Sequence, residues 1–419
     1  MKLLQLTPRL PYPPSDGGRV VMLQIARAMQ RLGADVRILS LNPRKHHSDL
    51  ETARRALAPI PIEAVDVDTS SDVASALRAV QIGAPQLVAR FFSARFARAL
   101  GVLLRSDDFG IVQIESPFLL PYVPAIREAS SAAIVLRSLN VEFRIWEQMA
   151  TGERSVVRRT AMRSIARSLR RYEIRHLNTC DAIVPITDDD GRDFRTLGCT
   201  RPIHVLPGGV DLDSGEPAGG AAGATQFAAG IVGEMERSRS VGFLGSLDYR
   251  PNQEAALWIA EELRPRLSVD VAVIHVGGSN APAWLRSRLA SAGVMFVGEV
   301  DDAAAFISSM PVMIAPLFSG GGMRIKIIEA MAHGKAVVAT TLGAAGIDVC
   351  SGENILLADD PDAFASAVAD LLRDPSRARS IGDAGRRLVE SRYTTDALAR
   401  DLLAFYEELS QSGRVNGGR

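Results

Sequence analysis

The stretch VMIAPLFSGGGMRIKIIEAMAHGKAVVATT (312–341) reads as strand, turn, helix, strand. VMIAPLF (312–318) is apolar enough for a strand buried on both faces of a parallel sheet. SGGG (319–322) turns the chain without side chains in the way. The apolar spacing predicts a helix from Gly322 to about His333, with Gly334 as its stop, and AVVATT (336–341) is the next strand. Helix N-termini hold anions through free N–H groups and the macrodipole, and glycines let a phosphate approach the backbone. Arg324 and Lys326 place cations where the dipole disfavours them unless an anion is bound. At 100° per residue Gly322, Lys326, Glu329 and His333 share one stripe of an otherwise apolar helix, so that stripe is expected to line a cavity. The plainer reading is a glycine turn with a Lys326–Glu329 ion pair, worth about 0.2–0.5 kcal/mol. A Walker A loop is excluded around Lys335, which lacks the leading glycine and the following Ser/Thr.

The same alternation extends in both directions. LLQLT (3–7), VRILSL (36–41), GIVQIE (110–115), AAIVLRS (132–138), AIVPIT (182–187) and IHVLP (203–207) read as strands, mostly separated by helical patterns such as VVMLQIARAMQRLG (20–33). A second series comprises SVGFLGS (240–246), VAVIHVGG (271–278), VMFVGE (294–299), VMIAPLF, AVVATT and NILLA (354–358). Strands alternating with helices give parallel sheets. The expectation is an α/β protein with two tandem Rossmann-like domains facing across a central cleft, ligands binding at the carboxyl ends of the strands. The boundaries are 1–212 for the first domain, 213–240 for a Gly/Ala-rich linker, 241–392 for the second domain, 393–410 for a helix returning to the first, and 411–419 for a disordered tail.

At 419 residues the chain exceeds one ordinary core. Its 48 basic and 48 acidic residues cancel, which argues against a nucleic-acid partner. Cys180, Cys199 and Cys350 lie far apart and make no disulfide framework, which suits a reducing cytoplasm. The six histidines form no HxxxH or HExxH pattern, so no metal site is expected. The N-terminal apolar run is short and broken by prolines, unlike a signal peptide. No segment reaches the roughly 18 apolar residues of a membrane span. Lysine occurs only at Lys2, Lys45, Lys326 and Lys335, so two of the four fall in the opening stretch. Segments 89–106 and 153–176 are rich in arginine, the second with eight arginines against two glutamates. They read either as solvated helix faces or as a patch facing anionic lipid or a phosphorylated acceptor.

PLFSGGGMRIKIIEAMAHGKAVVAT (316–340) resembles the donor motif of the family 4 retaining glycosyltransferases of GT-B fold, in particular an exopolysaccharide-associated bacterial branch with a GxRxK…E pattern. Gly322, Arg324, Lys326 and Glu329 carry the match. The resemblance implies that Glu329 binds the ribose hydroxyls of a nucleotide, that Arg324 and Lys326 hold the donor diphosphate as the catalytic cations, and that Gly320, Gly321 and Gly322 line it. Gly321 stands where most of the family has another glutamate. FLGSLDYRPNQEAALWIAEEL (243–263) resembles the opening of the same branch's second domain, so Gly245 and Ser246 join the donor site; usual cations after this glycine are missing, and Arg324 and Lys326 replace them. Glu299 and Val300 resemble the loop that holds the base. VLPGGVDLD (205–213) and residues 382–409 also match. Gly17 and Gly18 resemble a glycine pair facing donor phosphate or acceptor. LRSLNVEFRIWE (136–147) resembles a segment with a sugar-facing histidine, replaced here by Leu139, which leaves Asn140 and Glu142, with Arg250, as candidates on the acceptor or sugar side.

The implied reaction is transfer of a sugar from a nucleotide-diphosphate donor to a glycan, lipid-linked or other surface-polysaccharide acceptor, without metal or cofactor. The implied location is cytoplasmic, with peripheral contact of the arginine-rich helices on the inner face of an anionic membrane. A sugar-nucleotide epimerase of the same fold and a degenerate nucleotide-sugar-binding protein are the alternatives.

Overall fold

The structure, a computed structural model, describes residues 1–14, 17–70, 72–153, 155–211, 239–268, 272–300, 302–320 and 323–416. Gly321, Gly322 and nearly all of the expected linker 213–240 lie outside these residues. Two compact units form: Met1–Gly208 with the last helix, and Gly209–Thr394.

The first unit has strands β1 (Lys2–Thr7), β2 (Asp35–Pro43), β3 (Ile62–Val67), β4 (Ile111–Ile114), β5 (Ala133–Ser138) and β6 (Ala182–Pro185), all paired in parallel in the order β3-β2-β1-β4-β5-β6. Its helices include α1 (Gly17–Arg31), α2 (Ala94–Ser106), α3 (Glu142–Thr151) and α4 (Val156–His176). The second has β7 (Ser240–Leu244), β8 (Val273–Gly277), β9 (Met295–Gly298), β10 (Val312–Ala315), β11 (Ala336–Ala339) and β12 (Leu356–Leu357), in the order β12-β11-β10-β7-β8-β9, with helices α5 (Arg250–Trp258) and α6 (Ile325–Ala332). Every pairing in this sheet is also parallel. The final helix α7 (Thr395–Asn416) packs on α1, burying Leu398, Ala399, Leu402 and Tyr406 in the core of the first unit. Each sheet reverses its strand order once, between β1 and β4 and between β7 and β10, and such switch points open the crevices where α/β sheets bind ligands.

Three expectations are corrected. IHVLP (203–207) runs beside β6, with backbone bonds such as Leu206 N–H to the Pro185 carbonyl at 2.8 Å, but closes only the Ile183–Ile203 bridge. Pro185 lacks a donor, and Pro202 and Pro207 flank the segment. The helix expected from Gly322 starts at Ile325: Arg324 is its N-cap, φ −93° and ψ 86°, and its guanidinium turns back to the Ser319 and Gly320 carbonyls. The expected tail 411–419 is helical through Asn416; a single interior Gly413 costs only about 1 kcal/mol against alanine.

Candidate functional site

At the switch point of the second unit, β7 and β10 lie side by side and end in glycine-bearing loops. Lys326, in the first turn of α6 after β10, reaches across to the end of β7. Its Nζ donates to Asn252 Oδ1 at 2.8 Å and stands 4.7 Å from the centroid of the Phe243 ring. A Cβ at Gly245 would lie 2.6 Å from that Nζ and 2.9 Å from the Asn252 amide, so the residue that lets the ammonium sit here must be glycine. Asn252 Nδ2 donates to the Ser246 carbonyl at 2.8 Å, and Ser246 Oγ donates to Asp248 at 2.6 Å. Burial pushes the Lys326 ammonium down to about 7; Arg324 adds to the shift and Glu329 opposes it.

Glu329 lies one turn further along α6, part-buried. Burial raises its pKa and Lys326 pulls it back. Among the described residues no hydrogen bond or ion pair reaches its carboxylate, so the plain Lys326–Glu329 pair does not form; the helix buries Ile327, Ile328, Ala330 and Met331 instead. Arg324 Nη2 donates to the carbonyls of Gly320 at 2.8 Å and Ser319 at 3.3 Å, and burial lowers its pKa. Gly320 has φ +94°, and a Cβ there would meet Pro251 at 3.0 Å and the Tyr249 hydroxyl at 3.1 Å. Ser319 Oγ donates to Glu254, which also accepts from Arg250 Nε at 2.8 Å. Arg250 therefore faces a carboxylate of its own helix.

The ends of β8 and β9 complete this edge: Gly245 N–H donates to Gly277 at 3.1 Å, and Gly278 N–H to Gly298 at 2.7 Å. Glu299 is exposed and Val300 part-buried, with Val300 Cγ2 2.8 Å from the Cβ that Gly277 lacks. The fold thus gathers Gly245, Ser246, Gly320, Arg324, Lys326 and Glu329 at one sheet edge. Asn252 and Glu254 were missed in the sequence. Pro251 at the start of α5 was the available signal, since proline in the first turn announces a helix whose next residues reach the neighbouring loop.

In the first unit Gly17 and Gly18 open α1, and no atom lies within 4 Å of a Cβ built at Gly17. The following Arg19 is buried and donates to the carbonyls of Pro13 at 3.2 Å and His46 at 3.1 Å. The Asn140 carbonyl accepts from Ser138 Oγ at 2.7 Å, and Leu139 is part-buried. Glu142 is the first residue of α3, and burial pushes its carboxyl up to about 7. Glu173 of α4 accepts the backbone N–H groups of Glu142 at 3.0 Å and Phe143 at 3.4 Å. Burial and repulsion from Glu142 push Glu173 up to about 8. Glu173 had no signal beyond being a lone acid among arginines.

Residues 15–214 match the model described as Glycosyltransferase Family 4, and residues 238–374 the model described as Glycosyl transferases group 1. The chain carries a glycosyltransferase family 4 domain followed by a glycosyl transferases group 1 domain. The phosphatidyl-myo-inositol mannosyltransferase of Mycobacterium tuberculosis is 33% identical over 219 residues, 50% of this chain and 54% of that protein. The alignment thus spans about half the length of that relative. The protein of the same description from Mycobacterium leprae is 27% identical over 412 residues, 94% of this chain and 93% of its own. Among solved structures, sucrose-phosphate synthase from Thermosynechococcus elongatus superposes with a TM-score of 0.70 at 16% identity, covering 98% of this chain and all of that one (100%). Anabaena HepE in complex with UDP gives 0.67 at 14%, covering 97% and 100%. At such identities the likeness concerns the fold, which is GT-B: two Rossmann-like domains in tandem.

Proposed function

We propose that this chain transfers a hexose, with mannose the first candidate, from a nucleoside-diphosphate donor to a lipid-linked acceptor with retention at the anomeric carbon. One observation carries the reading. A lysine crosses the switch point of a Rossmann-like sheet to stand over a glycine, one helical turn from the Glu329 carboxylate, which no described residue hydrogen-bonds. In this reading Glu329 accepts hydrogen bonds from the ribose hydroxyls. Lys326, Arg324 and the N–H groups opening α6 meet the charge that grows on the leaving diphosphate, the kind of preorganised stabilisation that dominates such catalysis. Arg324 exchanges loop carbonyls for phosphate oxygens. A departing phosphate oxygen takes the proton of the attacking hydroxyl, on the same face of the sugar. The cations are side chains, so the scheme requires no metal.

Mannose and a lipid acceptor are drawn from the relatives' printed names, phosphatidyl-myo-inositol mannosyltransferase, in preference to an exopolysaccharide chain. Peripheral contact with anionic membrane belongs to the same proposal. On α4, Arg158, Arg163, Arg167, Arg170, Arg171 and Arg175 are exposed. Val156 and Val157 at its start are 64% and 79% exposed. Among the described residues no helix is long and apolar enough to cross a membrane. The test incubates radiolabelled GDP-mannose or UDP-glucose with the protein and vesicles containing phosphatidylinositol or native lipid extract, and follows label into the lipid phase. Transfer with α configuration supports the proposal. Donor binding with no label in any lipid or glycan leaves a binding protein.

A further inference from the structure

We propose that Asn252 is the positioning residue of Lys326: a neutral acceptor that fixes the ammonium over Gly245 without cancelling its charge. The inference rests on the reading of Lys326 as a diphosphate ligand. Its basis is the geometry of one buried amide. Asn252 is 8% exposed and occupies the first turn of α5, where its backbone N–H donates to the Tyr249 carbonyl at 3.0 Å. The side-chain orientation is dictated by its neighbours. The Ser246 carbonyl can only accept, so Nδ2 faces it at 2.8 Å and Oδ1 is left for Lys326, also at 2.8 Å. One side chain therefore links the loop after β7 to the first turn of α6.

The type of acceptor matters. A carboxylate would hold the ammonium equally well, but would pair its charge and repel an arriving diphosphate. An amide oxygen holds it through a dipole and leaves the positive charge for the ligand. The Phe243 ring beneath adds a second uncharged contact at 4.7 Å. A free lysine side chain has about 2 kcal/mol of rotamer entropy to lose when it is immobilised. Holding Lys326 before the ligand arrives removes part of that cost from binding. The titratable groups acting on the ammonium are Arg324, which disfavours its charge, and Glu329, which favours it.

Opposite substitutions separate this role from a structural one. Binding of UDP and of GDP is measured by calorimetry from pH 6 to pH 9 on wild type, Asn252→Ala, Asn252→Asp and Lys326→Ala, with thermal unfolding as the check of fold. Asn252→Ala removes an acceptor that favours the ammonium. Affinity is expected to fall about tenfold at neutral pH, a factor typical of one hydrogen bond to a charged group, and the decline with rising pH should begin earlier than in wild type. Asn252→Asp places a carboxylate beside the ammonium. Affinity should fall at low pH because charge is cancelled, while the alkaline decline moves to higher pH. Wild-type affinity in both variants, or equal losses with an unmoved pH profile, overturns the inference. If Lys326→Ala binds both nucleotides as wild type does, or wild type binds neither, the proposed function itself falls. A loss in Lys326→Ala with none in the Asn252 variants removes only the positioning role.

Discussion

At the first turn of α6 a lysine ammonium meets the positive end of a helix dipole, a neighbouring guanidinium and an aromatic floor. The helix dipole and Arg324 resist its charge while the ring favours it, and burial together with Arg324 brings its pKa down to about 7. A diphosphate reverses the balance, because it favours the ammonium. Between pH 7 and the lysine's ordinary range the free site is short of a proton that the occupied site holds. Nucleotide binding at pH 8 is therefore expected to take up a fraction of a proton, read by calorimetry in buffers of different ionisation enthalpy, and Lys326→Ala should abolish that uptake. Zero uptake in wild type counts against Lys326 as the phosphate ligand. Glu329 makes the complementary case. Its carboxylate is raised in pKa by burial, yet Lys326 draws it toward ionisation. Glu329→Ala should weaken nucleotide binding about 10- to 100-fold, the range for losing hydrogen bonds to a charged group. An unchanged dissociation constant would remove ribose from the assignment.

Helix α3 begins in a setting that fixes its chemistry at the scale of an element. A helix leaves its first N–H groups without partners, and Glu173, on the next helix α4, supplies a carboxyl to two of them. Both Glu142 and Glu173 have folded-state pKa values raised above the ordinary 4.5, to about 7 and about 8. The folded chain thus holds protons that the unfolded chain releases. Their contribution to stability is full below about pH 4.5 and is lost as pH rises through 7 and 8. Melting temperature should fall from pH 5 to pH 8, and Glu173→Gln should flatten that slope; a slope unaffected by the substitution contradicts the linkage. What was legible in the sequence follows the same physics. Strands β1 and β4 announce themselves because their burial makes them runs that are apolar but for one glutamine each, LLQL and IVQI. Edge strand β3, IEAVDV, carries acids and was missed. Lys326 and Glu329 were legible because helical spacing alone places them on one stripe, and Arg324 through the GxRxK…E resemblance. Asn252 was not, since its partner lies 74 residues away and only the adjacency of β7 and β10 brings them together.

The whole molecule returns at its end to its first unit, and a buried polar network lies beneath that return. Arg137 on β5 pairs with Glu115 at 3.1 Å, the two side chains 1% and 0% exposed. Glu115 also accepts from Gln5 at 2.6 Å and from Gln113, and Gln113 Oε1 accepts from the Tyr406 hydroxyl of α7 at 2.6 Å. A network at such depth contributes little net attraction over an apolar core, but it is costly to break on one side, because a charge is left without its partner. Arg137→Ala should destabilise the first unit by about 3–5 kcal/mol, and Tyr406→Phe by about 1–3 kcal/mol through the stranded Gln113 oxygen. The three tryptophans allow the two units to be followed separately, since Trp146 lies in the first and Trp258 and Trp284 in the second. In urea, Arg137→Ala should lower the midpoint reported by Trp146 in a chain carrying Trp258→Phe and Trp284→Phe. The midpoint reported by Trp258, in a chain carrying Trp146→Phe and Trp284→Phe, should stay close to that of the parent. An unmoved Trp146 transition would mean that the Glu115 carboxylate finds compensation from Gln5 and Gln113 alone, and that α7 is held by its apolar face rather than by this network.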